Sequence, residues 1–272
     1  MRRRNIAACL VGALAALAAA GAPTAVAAPS GAIHPGVQTY TSGAQCTANF
    51  VFADATSTYI GQAAHCSGTG AANKTNGCTT SSLPLGTPVT VTGASRPGTL
   101  VYNSWLAMQA AHETDGSACA FNDFALIRLD PADSDKIDPT MPGLGGPNGV
   151  GGAAVGAAVF SYGNSKLRLG LAALRPKQGL VVQVPGGGWS RAVYTVTPGI
   201  PGDSGSGFVN ARGQAVGILS TLSLAPLPLA NGVGDLSREL TYMRNHSTFT
   251  RVQLVNGRKP FRANLLGAII GG

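Results

Sequence analysis

Short runs of β-branched and apolar residues, separated by glycine, proline and small polar residues, recur along most of this chain. Runs of this length between turn-forming residues predict strands joined by tight turns, because helices need longer periodic segments. The composition agrees, since 38 of the 272 residues are glycine, 17 are proline and only 11% are charged. We therefore predict an all-β protein with strands near residues 45–52, 56–62, 88–92, 98–102, 124–129, 153–162, 179–184, 192–197, 207–210 and 215–221.

A stretch rich in proline and glycine, residues 130–152, divides these strands into two groups. Such a stretch is typical of a long surface connection. We predict one β unit at about residues 45–130 and a second at about residues 153–234. An extended N-terminal arm is expected at residues 28–44, and a C-terminal tail at residues 247–272.

One short helix is predicted at residues 235–244. Asp235 is a suitable N-cap residue, because its side chain can accept hydrogen bonds from the first free amides of a helix. Leu236, Leu240 and Met243 then fall on one helical stripe.

The first 27 residues have the pattern of a secretory signal peptide. Three arginines, Arg2 to Arg4, precede an apolar run from Ile6 to about Ala20, and Ala25-Val26-Ala27 supplies a small-residue cleavage site. An uncleaved membrane anchor is the alternative, which is disfavoured because the run is shorter than the ~20 residues of a span. We expect a secreted, extracellular protein with no membrane partner after cleavage. The arginines leave the twin-arginine export route open.

Removal of this segment takes away three arginines and no acidic residue, which lowers the formal net charge from +8 to +5. A mildly basic protein is attracted loosely to the anionic polymers of a cell envelope. Nucleic acid is not expected as a partner, because no cluster of lysine and arginine is interleaved with aromatic residues. We expect the mature protein to be a monomer.

Four cysteines remain after removal of the signal segment: Cys46, Cys66, Cys78 and Cys119. An even number in an exported protein predicts two disulfide bonds, and spacing alone leaves three pairings open. A zinc site is the alternative, which is disfavoured because the chain has no Cys-x-x-Cys pair. We expect neither a metal ion nor a cofactor.

Three segments carry the side chains of nucleophilic catalysis in the order His, Asp, Ser. Ser204 lies in the glycine-flanked turn Pro201–Gly207, and a serine hydroxyl attacks only when a base accepts its proton. His65 is the candidate base, because the other histidines lie outside any such motif. Asp123 opens an apolar run and is the candidate carboxylate that orients His65 and stabilises its positive charge.

The same turn supplies candidate donors for an oxyanion hole, the site that stabilises the negative charge developing on a substrate carbonyl oxygen. The backbone N–H groups of Gly202 and Ser204 are the proposed donors. Glycine at positions 202, 205 and 207 permits positive φ angles and close approach of a substrate to the backbone.

The segments Ala63–Cys66, Asp123–Ile127 and Gly202–Ser206 resemble those of chymotrypsin/trypsin-type serine peptidases, especially secreted bacterial members. The resemblance covers roughly residues 40–245, and three ordered motifs are a specific signal. It implies two packed six-stranded antiparallel β-barrels with the active site in the cleft between them. A peptidase domain is expected at residues 45–246.

The resemblance also implies further roles for individual residues. A disulfide between Cys46 and Cys66 is implied, and with it a second between Cys78 and Cys119. Ser220 resembles the family serine that hydrogen-bonds the triad aspartate and begins the substrate-pairing edge beside the pocket, with an ordinary strand serine as the alternative at this position.

The residues expected around the substrate pocket depart from the trypsin pattern. Pro198 stands where a trypsin-type enzyme has an aspartate, and Leu222 stands where large-pocket members have a glycine. The resemblance therefore implies cleavage after small or medium apolar residues rather than after Lys or Arg.

No Arg/Lys-Ile-Val-Gly-Gly junction is present to supply a new N-terminal amine for Asp203, the acidic residue beside the nucleophile. Bacterial relatives use an internal arginine instead. Arg168, Arg175 and Arg191 are the candidates, and the sequence does not choose among them.

The preferred hypothesis is a secreted serine endopeptidase that hydrolyses polypeptides through an acyl-enzyme on Ser204. The alternatives are a catalytically inactive extracellular binding or adhesion module with the same fold, and an esterase or acyltransferase that uses the same triad. The intact set of His65, Asp123 and Ser204 favours an active enzyme.

Overall fold

A computed structural model describes residues 31–71, 74–222 and 228–263. The predicted signal peptide, residues 28–30 of the predicted arm and residues 264–272 of the predicted tail lie outside these ranges. The described strands are β1 (Gln38–Thr41), β2 (Ala44–Thr47), β3 (Val51–Ala53), β4 (Thr58–Ala63), β5 (Pro88–Val91), β6 (Gly98–Asn103), β7 (Phe124–Arg128), β8 (Ala158–Tyr162), β9 (Pro176–Gln183), β10 (Ser190–Thr195), β11 (Gly207–Asn210), β12 (Ala215–Leu222), β13 (Asn231–Asp235) and β14 (Gln253–Leu254). The described α-helices are α1 (Ser104–Ala110), α2 (Gly116–Phe121) and α3 (Leu236–Asn245).

The strands form two units, as the sequence predicts. Six strands close an antiparallel barrel in the order β10-β13-β12-β11-β8-β9. The other eight form one antiparallel sheet in the order β14-β3-β4-β7-β6-β5-β1-β2. The all-β, two-unit prediction is confirmed, and the second unit has the predicted six strands.

The first unit differs from the predicted six-stranded barrel, because two further strands join its sheet. β1 lies inside the segment predicted to be an arm, where Thr39 and Thr41 are buried and the strand pairs with both β2 and β5. β14 lies in the predicted tail and pairs with β3 through Gln253 and Leu254. Both strands are short and polar, so their pairing depends on tertiary contacts rather than on a local apolar pattern.

The helices are more numerous than predicted. α3 begins after Asp235, whose side chain accepts from the Arg238 amide, in agreement with the predicted N-cap. α1 and α2 were not predicted, because helices of seven and six residues are too short to develop a clear 3.6-residue period. Both connect β6 to β7. No helix in the described ranges is long and apolar enough to cross a membrane.

The two units share an apolar core at their junction. Phe50 and Phe124 of the eight-stranded sheet belong to the same buried cluster as Phe160 and Ile218 of the barrel and Met243 of α3. Each unit also contains an apolar core of its own. Of the predicted catalytic residues, His65 directly follows β4 and Asp123 directly precedes β7, whereas Ser204 lies in the turn before β11 of the barrel.

Candidate active site

His65 lies in a single turn of 3-10 helix, Ala64–Ser67, directly after β4. Its backbone N–H donates to Asp123 Oδ1 at 2.8 Å. The preceding amide, that of Ala64, donates to the carbonyl oxygen of Asp123 at 2.9 Å. Asp123 thus binds the backbone of the turn as well as the imidazole, and the position of the histidine depends on β7.

The Asp123 carboxylate joins His65 to Ser220. His65 Nδ1 donates to Asp123 Oδ2 at 2.6 Å, and Ser220 Oγ donates to the same oxygen at 2.5 Å. Only 5% of the Asp123 side chain is exposed, against 24% for His65. Burial by itself lowers the pKa of His65, but the charge of Asp123 and its hydrogen bond outweigh burial and raise the pKa. This geometry leaves Nε2 as the proton acceptor.

Ser204 is partly exposed, in the turn between β10 and β11, and it lies beside the strand that leads to His65. Its carbonyl oxygen accepts from the Thr47 amide at 2.8 Å. The next residue, Gly205, has a φ of +87°, and a Cβ added there would lie 2.9 Å from the backbone nitrogen of Ala63. Within the described residues no hydrogen bond joins the Ser204 hydroxyl to His65. The turn thus packs against the end of β4 without that hydrogen bond.

The turn that contains Ser204 leaves two backbone amides without acceptors. The Pro201 carbonyl accepts from Ser165 Oγ at 2.6 Å, and the Asp203 carbonyl accepts from the Ser206 amide at 3.0 Å. Because the N–H and C=O of a planar trans peptide point in opposite directions, the Gly202 and Ser204 amides point away from these donors. Neither amide has an acceptor among the described residues, so both can bind an oxygen that carries negative charge.

Two polar side chains from β2 hold the carbonyl oxygen of Gly202. Thr47 Oγ1 donates to it at 2.7 Å and Gln45 Nε2 at 3.0 Å. The φ of Gly202 is +96°, and a Cβ there would collide with the Gln45 side chain, so this position requires glycine. Sequence reasoning missed Gln45 and Thr47, because they act on a backbone group more than 150 residues away.

Asp203 is fully buried beneath the same turn and binds two cations. Arg168 Nη2 contacts Asp203 Oδ2 at 2.5 Å, and Lys177 Nζ contacts the same oxygen at 2.9 Å. Burial raises the pKa of Asp203, but these two cations outweigh burial and lower it. Among the three candidates from the sequence, Arg168 is the partner, whereas Arg175 contacts Tyr162 and Arg191 pairs with Asp235. Lys177 was not among the candidates.

Of the residues predicted to form the substrate pocket, Pro198 lies between β10 and β11, and Ser220 and Leu222 lie on β12. The Pro198 carbonyl accepts from Arg168 and Lys177, so this residue contributes its backbone to the ion cluster beneath the turn. Leu222 ends β12 opposite Asn231 and is 37% exposed. Asn231 is fully buried and its Oδ1 accepts from the Gly199 amide at 2.8 Å.

The side chain of Asn231 fills the space next to Gly199. A Cβ added to Gly199 would lie 2.6 Å from Asn231 Oδ1 and 3.0 Å from a methyl group of Leu219. Asn231 Nδ2 donates to the Val193 carbonyl and to Thr195 Oγ1, so the amide is held in place from both sides. Sequence reasoning missed Asn231, which carries no motif.

The four cysteines form two disulfides, Cys46–Cys66 and Cys78–Cys119. The first joins β2 to the turn that carries His65. The second joins the segment after that turn to α2, just before Asp123. Cys46, Cys66 and His65 place their ligand atoms within 4.8 Å of one another, but both sulfur atoms are committed to the disulfide, so the group lacks the thiolates that bind zinc.

A buried glutamate lies behind Asp123. Glu239 in the first turn of α3 accepts from the backbone N–H of Asp123 at 3.2 Å, and its other carboxyl oxygen has no partner among the described residues. Burial raises the pKa of Glu239 well above its ordinary value. Sequence reasoning missed this contact of Glu239 with the candidate triad.

A separate cavity of about 820 Å³ lies away from these residues. It is lined by the N-terminal segment, the connection between the units and the segment after β14, including His34, Asp138, Tyr162, Arg175 and Arg262. None of its lining residues belongs to the predicted triad. Its size therefore does not identify the candidate active site, which we locate from the hydrogen bonds described above.

No protein-family model matches the chain, and no curated protein matches it in sequence. Solved structures do match. Protease A of Thermobifida fusca superposes with a TM-score of 0.54 at 17% identity, over 83% of this chain and 99% of that one. The Cellulomonas bogoriensis chymotrypsin gives 0.51 at 16% identity, and the Nocardiopsis protease gives 0.50 at 16%, each over 82% of this chain and 98% of its own.

These three structures are bacterial serine proteases, and the likeness extends over nearly their whole length. It shows that this chain has the chymotrypsin-like fold. The resemblance that the sequence motifs suggest is thereby confirmed at the level of the fold. Identities of 16–17% do not carry activity or specificity from those proteins to this one.

Proposed function

We propose that this protein is an exported serine endopeptidase whose catalytic residues are Ser204, His65 and Asp123. The observation that carries the proposal is the pair of free amides at Gly202 and Ser204, beside an imidazole that Asp123 and Ser220 hold in one orientation. Such a set of groups fits acyl transfer, because it supplies a nucleophile, an oriented base and donors for the developing oxyanion.

In this mechanism Ser204 Oγ attacks the scissile carbonyl carbon while His65 Nε2 accepts the hydroxyl proton. Asp123 stabilises the resulting imidazolium, and the Gly202 and Ser204 amides bind the oxyanion, each contributing about 2.7–4 kcal/mol. His65 then protonates the leaving amine, and water releases the acyl group by the reverse sequence. The missing hydrogen bond between Ser204 and His65 is expected to form when substrate binds, as catalytic contacts often tighten at that stage.

For the substrate, we propose polypeptides with a small or medium apolar residue before the cleaved bond. Asn231 packs against Gly199, five residues before Ser204, and pairs with Leu222, and the position six residues before Ser204 is Pro198 rather than an acidic residue. A long cationic side chain would therefore lack a carboxylate partner, and its burial would be costly.

We further propose that residues 1–27 direct export, that residues 45–246 form the peptidase domain, and that the mature enzyme acts outside the cell as a monomer. The two disulfides support an oxidising location.

The test is labelling of the mature protein with a fluorophosphonate, followed by digestion of a peptide library. We expect labelling and cleavage by the wild type, and neither by Ser204→Ala. The matched control is Ser206→Ala, because Ser206 is buried two residues away and has no hydroxyl partner in the described structure. That variant should keep both activities.

Three results would change the proposal or part of it. A folded, disulfide-bonded wild type that neither labels nor cleaves would indicate an inactive binding module. Labelling together with hydrolysis of esters but of no peptide would indicate an esterase or acyltransferase. Abundant cleavage after Lys or Arg would leave the mechanism standing and overturn the proposed pocket.

A further inference from the structure

The loop between β8 and β9 exposes four leucines. Leu167 is 57% exposed, Leu169 85%, Leu171 57% and Leu174 39%. Single exposed leucines are common on protein surfaces, but a contiguous group marks a surface that contacts something apolar. The loop does not lie free of the fold, because Ser165 at its start donates to the Pro201 carbonyl at 2.6 Å.

Exposed apolar side chains continue on the outer surface of the barrel next to this loop. Leu180 on β9 pairs with Tyr194 on β10, and these side chains are 52% and 38% exposed. Val182, two residues after Leu180, is 37% exposed, and Val196, two residues after Tyr194, is 83% exposed. Leu180 and Tyr194 are paired across the two strands and so lie on one face of the sheet, while Val182 lies at a bulge of β9 and Val196 just after the end of β10.

We call this surface, together with the four loop leucines, the leucine face. It is confined to the barrel unit. In the described residues before position 139, Leu85 is the single exposed large apolar residue. Exposed large apolar side chains are therefore concentrated in the barrel unit. Leucines exposed at random would be spread over both units.

The backbone of Leu169 is also unusual. Its φ is +52° and its ψ is +32°, a left-handed conformation that glycine and asparagine adopt far more readily than leucine. The residue is thus both exposed and held in a disfavoured conformation. An exposed leucine in such a conformation points to a role for the side chain outside the fold.

The charge around the leucine face has one sign. Residues 139–202 contain five lysines and arginines and no acidic residue. Arg168 and Lys177 share the single carboxylate of Asp203, so this buried cluster keeps an excess positive charge. Lys166 and Arg175, at the two ends of the leucine loop, form no ion pair within the described residues.

From these observations we propose that the leucine face binds an anionic lipid surface. Apolar side chains projecting from a loop, flanked by cations, are the combination that holds a peripheral protein at a membrane interface. A neutral apolar partner would gain nothing from the one-signed charge, and a basic partner would be repelled. The proposal is independent of catalysis, since it rests on no residue of the triad.

The proposal revises the expectation of no membrane partner after signal cleavage. That expectation concerned segments that span a bilayer, whereas a peripheral face needs no such segment. Because Ser165 and Arg168 anchor the leucine loop to the turn of Ser204, binding would place the candidate active site close to the lipid surface.

The test is flotation of the purified mature protein with vesicles of two compositions. One is pure phosphatidylcholine, and the other contains about one-third phosphatidylglycerol. We expect binding to the anionic vesicles, at least about tenfold weaker binding to the neutral ones, and loss of binding at high salt. Equal binding to both, or binding to neither, would overturn the proposal.

Variants distinguish binding through the leucine face from nonspecific hydrophobic adsorption to vesicles. Leu167→Ser/Leu169→Ser/Leu171→Ser is expected to weaken anionic-vesicle binding by more than about tenfold. Leu85→Ser, which removes a leucine of similar exposure from the other unit, should leave it unchanged. Loss of binding in Leu85→Ser as well would show that the face is not the binding surface.

Leu169→Asn guards against a folding artefact. Asparagine accepts the left-handed conformation, so this variant should melt at the same or a higher temperature while it binds anionic vesicles about fivefold more weakly. Retained binding would remove Leu169 from the surface and contradict the proposal.

The charge contribution has its own pair of variants. Lys166→Gln should weaken binding about fivefold, because a cation near an anionic surface contributes roughly that factor. The exposed Lys74 lies in the other unit, and Lys74→Gln should have no effect. A wild type that forms dimers without lipid, and loses them in the triple leucine variant, would identify a second copy of the chain as the occupant and overturn the lipid proposal.

Discussion

Asp123 Oδ2 accepts two hydrogen bonds, one from His65 and one from Ser220. The two donors compete for the electron density of this oxygen, and the competition affects the basicity of His65. Ser220 Oγ donates at 2.5 Å and His65 Nδ1 at 2.6 Å. The serine withdraws electron density from the oxygen that holds the imidazole. Removal of its hydroxyl should therefore strengthen the interaction of Asp123 with protonated His65 and raise the pKa of the histidine further.

We expect Ser220→Ala to move the acid limb of kcat/KM to higher pH, because His65 must be neutral to accept the Ser204 proton. The maximal rate should fall by roughly tenfold as the carboxylate loses one of its positioning contacts. Measurement of kcat/KM from pH 5 to pH 9 tests this. Ser237→Ala, at an exposed serine of α3, is the matched control. A shift of the acid limb to lower pH would contradict the argument.

Glu239 lies one hydrogen bond from the candidate triad, yet it is suited to a neutral rather than a charged role. Its surroundings contain the carboxylates of Asp123 and Asp235, the guanidinium of Arg191 and the phenol of Tyr102. Burial is the largest effect and raises its pKa, and the two carboxylates raise it further. The carboxyl thus resists ionisation more than a free glutamate does, which disfavours a second negative charge behind the candidate triad.

This pKa has a consequence for stability. A carboxyl whose pKa is raised by folding supports the folded state below its unfolded pKa and loses that contribution as pH rises toward the folded value. Glu239→Gln keeps the acceptor and removes the titration. We expect it to raise the free energy of unfolding by about 1–3 kcal/mol at pH 8 and to leave it nearly unchanged at pH 4. Urea denaturation at the two pH values measures the difference, and equal effects at both would show that Glu239 does not titrate on unfolding.

Among the elements, β9 supplies Lys177 and the 3-10 turn Lys166–Arg168 supplies Arg168. Both cations bind Asp203 in the turn that contains Ser204. Lys177 is fully buried, and its only carboxylate contact among the described residues is Asp203. Burial lowers the pKa of Lys177, and Asp203 opposes that effect. The lysine is therefore held charged by a partner that it stabilises in turn.

We expect Lys177→Met to destabilise the protein by about 3 kcal/mol, because it removes one of two cations from a buried carboxylate. Activity should fall as well, since Asp203 anchors the turn that carries the Gly202 and Ser204 amides. Lys166→Met, at an exposed lysine in the adjacent loop, should change stability by less than about 0.5 kcal/mol. Chemical denaturation tests both variants. Unaltered stability of Lys177→Met would mean that Arg168 alone neutralises Asp203.

The same elements mark how far the sequence predicts this structure. Strands such as β4, β7 and β12 have local apolar patterns that predict them. The motifs around His65 and Ser204 can be recognised from the residues adjacent to them in the sequence. β1 and β14 are polar and short, so only their partners make them strands. In the sequence, nothing distinguishes Lys177 from an ordinary surface lysine. Only the folded position of β9 brings it to Asp203. Long-range partners of this kind leave no local signal.

For the whole molecule, the candidate active site draws residues from both units and depends on their junction. The eight-stranded sheet contributes His65, Asp123 and the side chains of Gln45 and Thr47, and the barrel contributes Ser220 and the turn of Ser204. The shared core therefore has to be intact before the site exists. Conditions that loosen the junction should abolish activity before either unit loses its strands.

Acid provides such a condition, because carboxylates stabilise both units. Lysine and serine contacts outweigh the effect of burial and lower the pKa of Asp133 to about 2, and backbone and tyrosine hydrogen bonds lower that of Asp54 to about 2. The pKa of Asp203 is lowered as well. Groups with lowered pKa values stabilise the fold above their unfolded pKa, and that stability is lost as pH falls through the folded value.

We therefore expect the melting temperature to hold between pH 5 and pH 4 and to fall by more than about 10 °C between pH 4 and pH 2. Scanning calorimetry across this range measures the fall. Asp133→Asn should melt lower than the wild type at pH 5 and lose less on acidification, because its Lys136 and Ser95 contacts are already weakened. If the variant and the wild type lose equal stability on acidification, Asp133 does not contribute to acid unfolding. Acid unfolding would then depend on Asp203 at the junction rather than on carboxylates spread over both units.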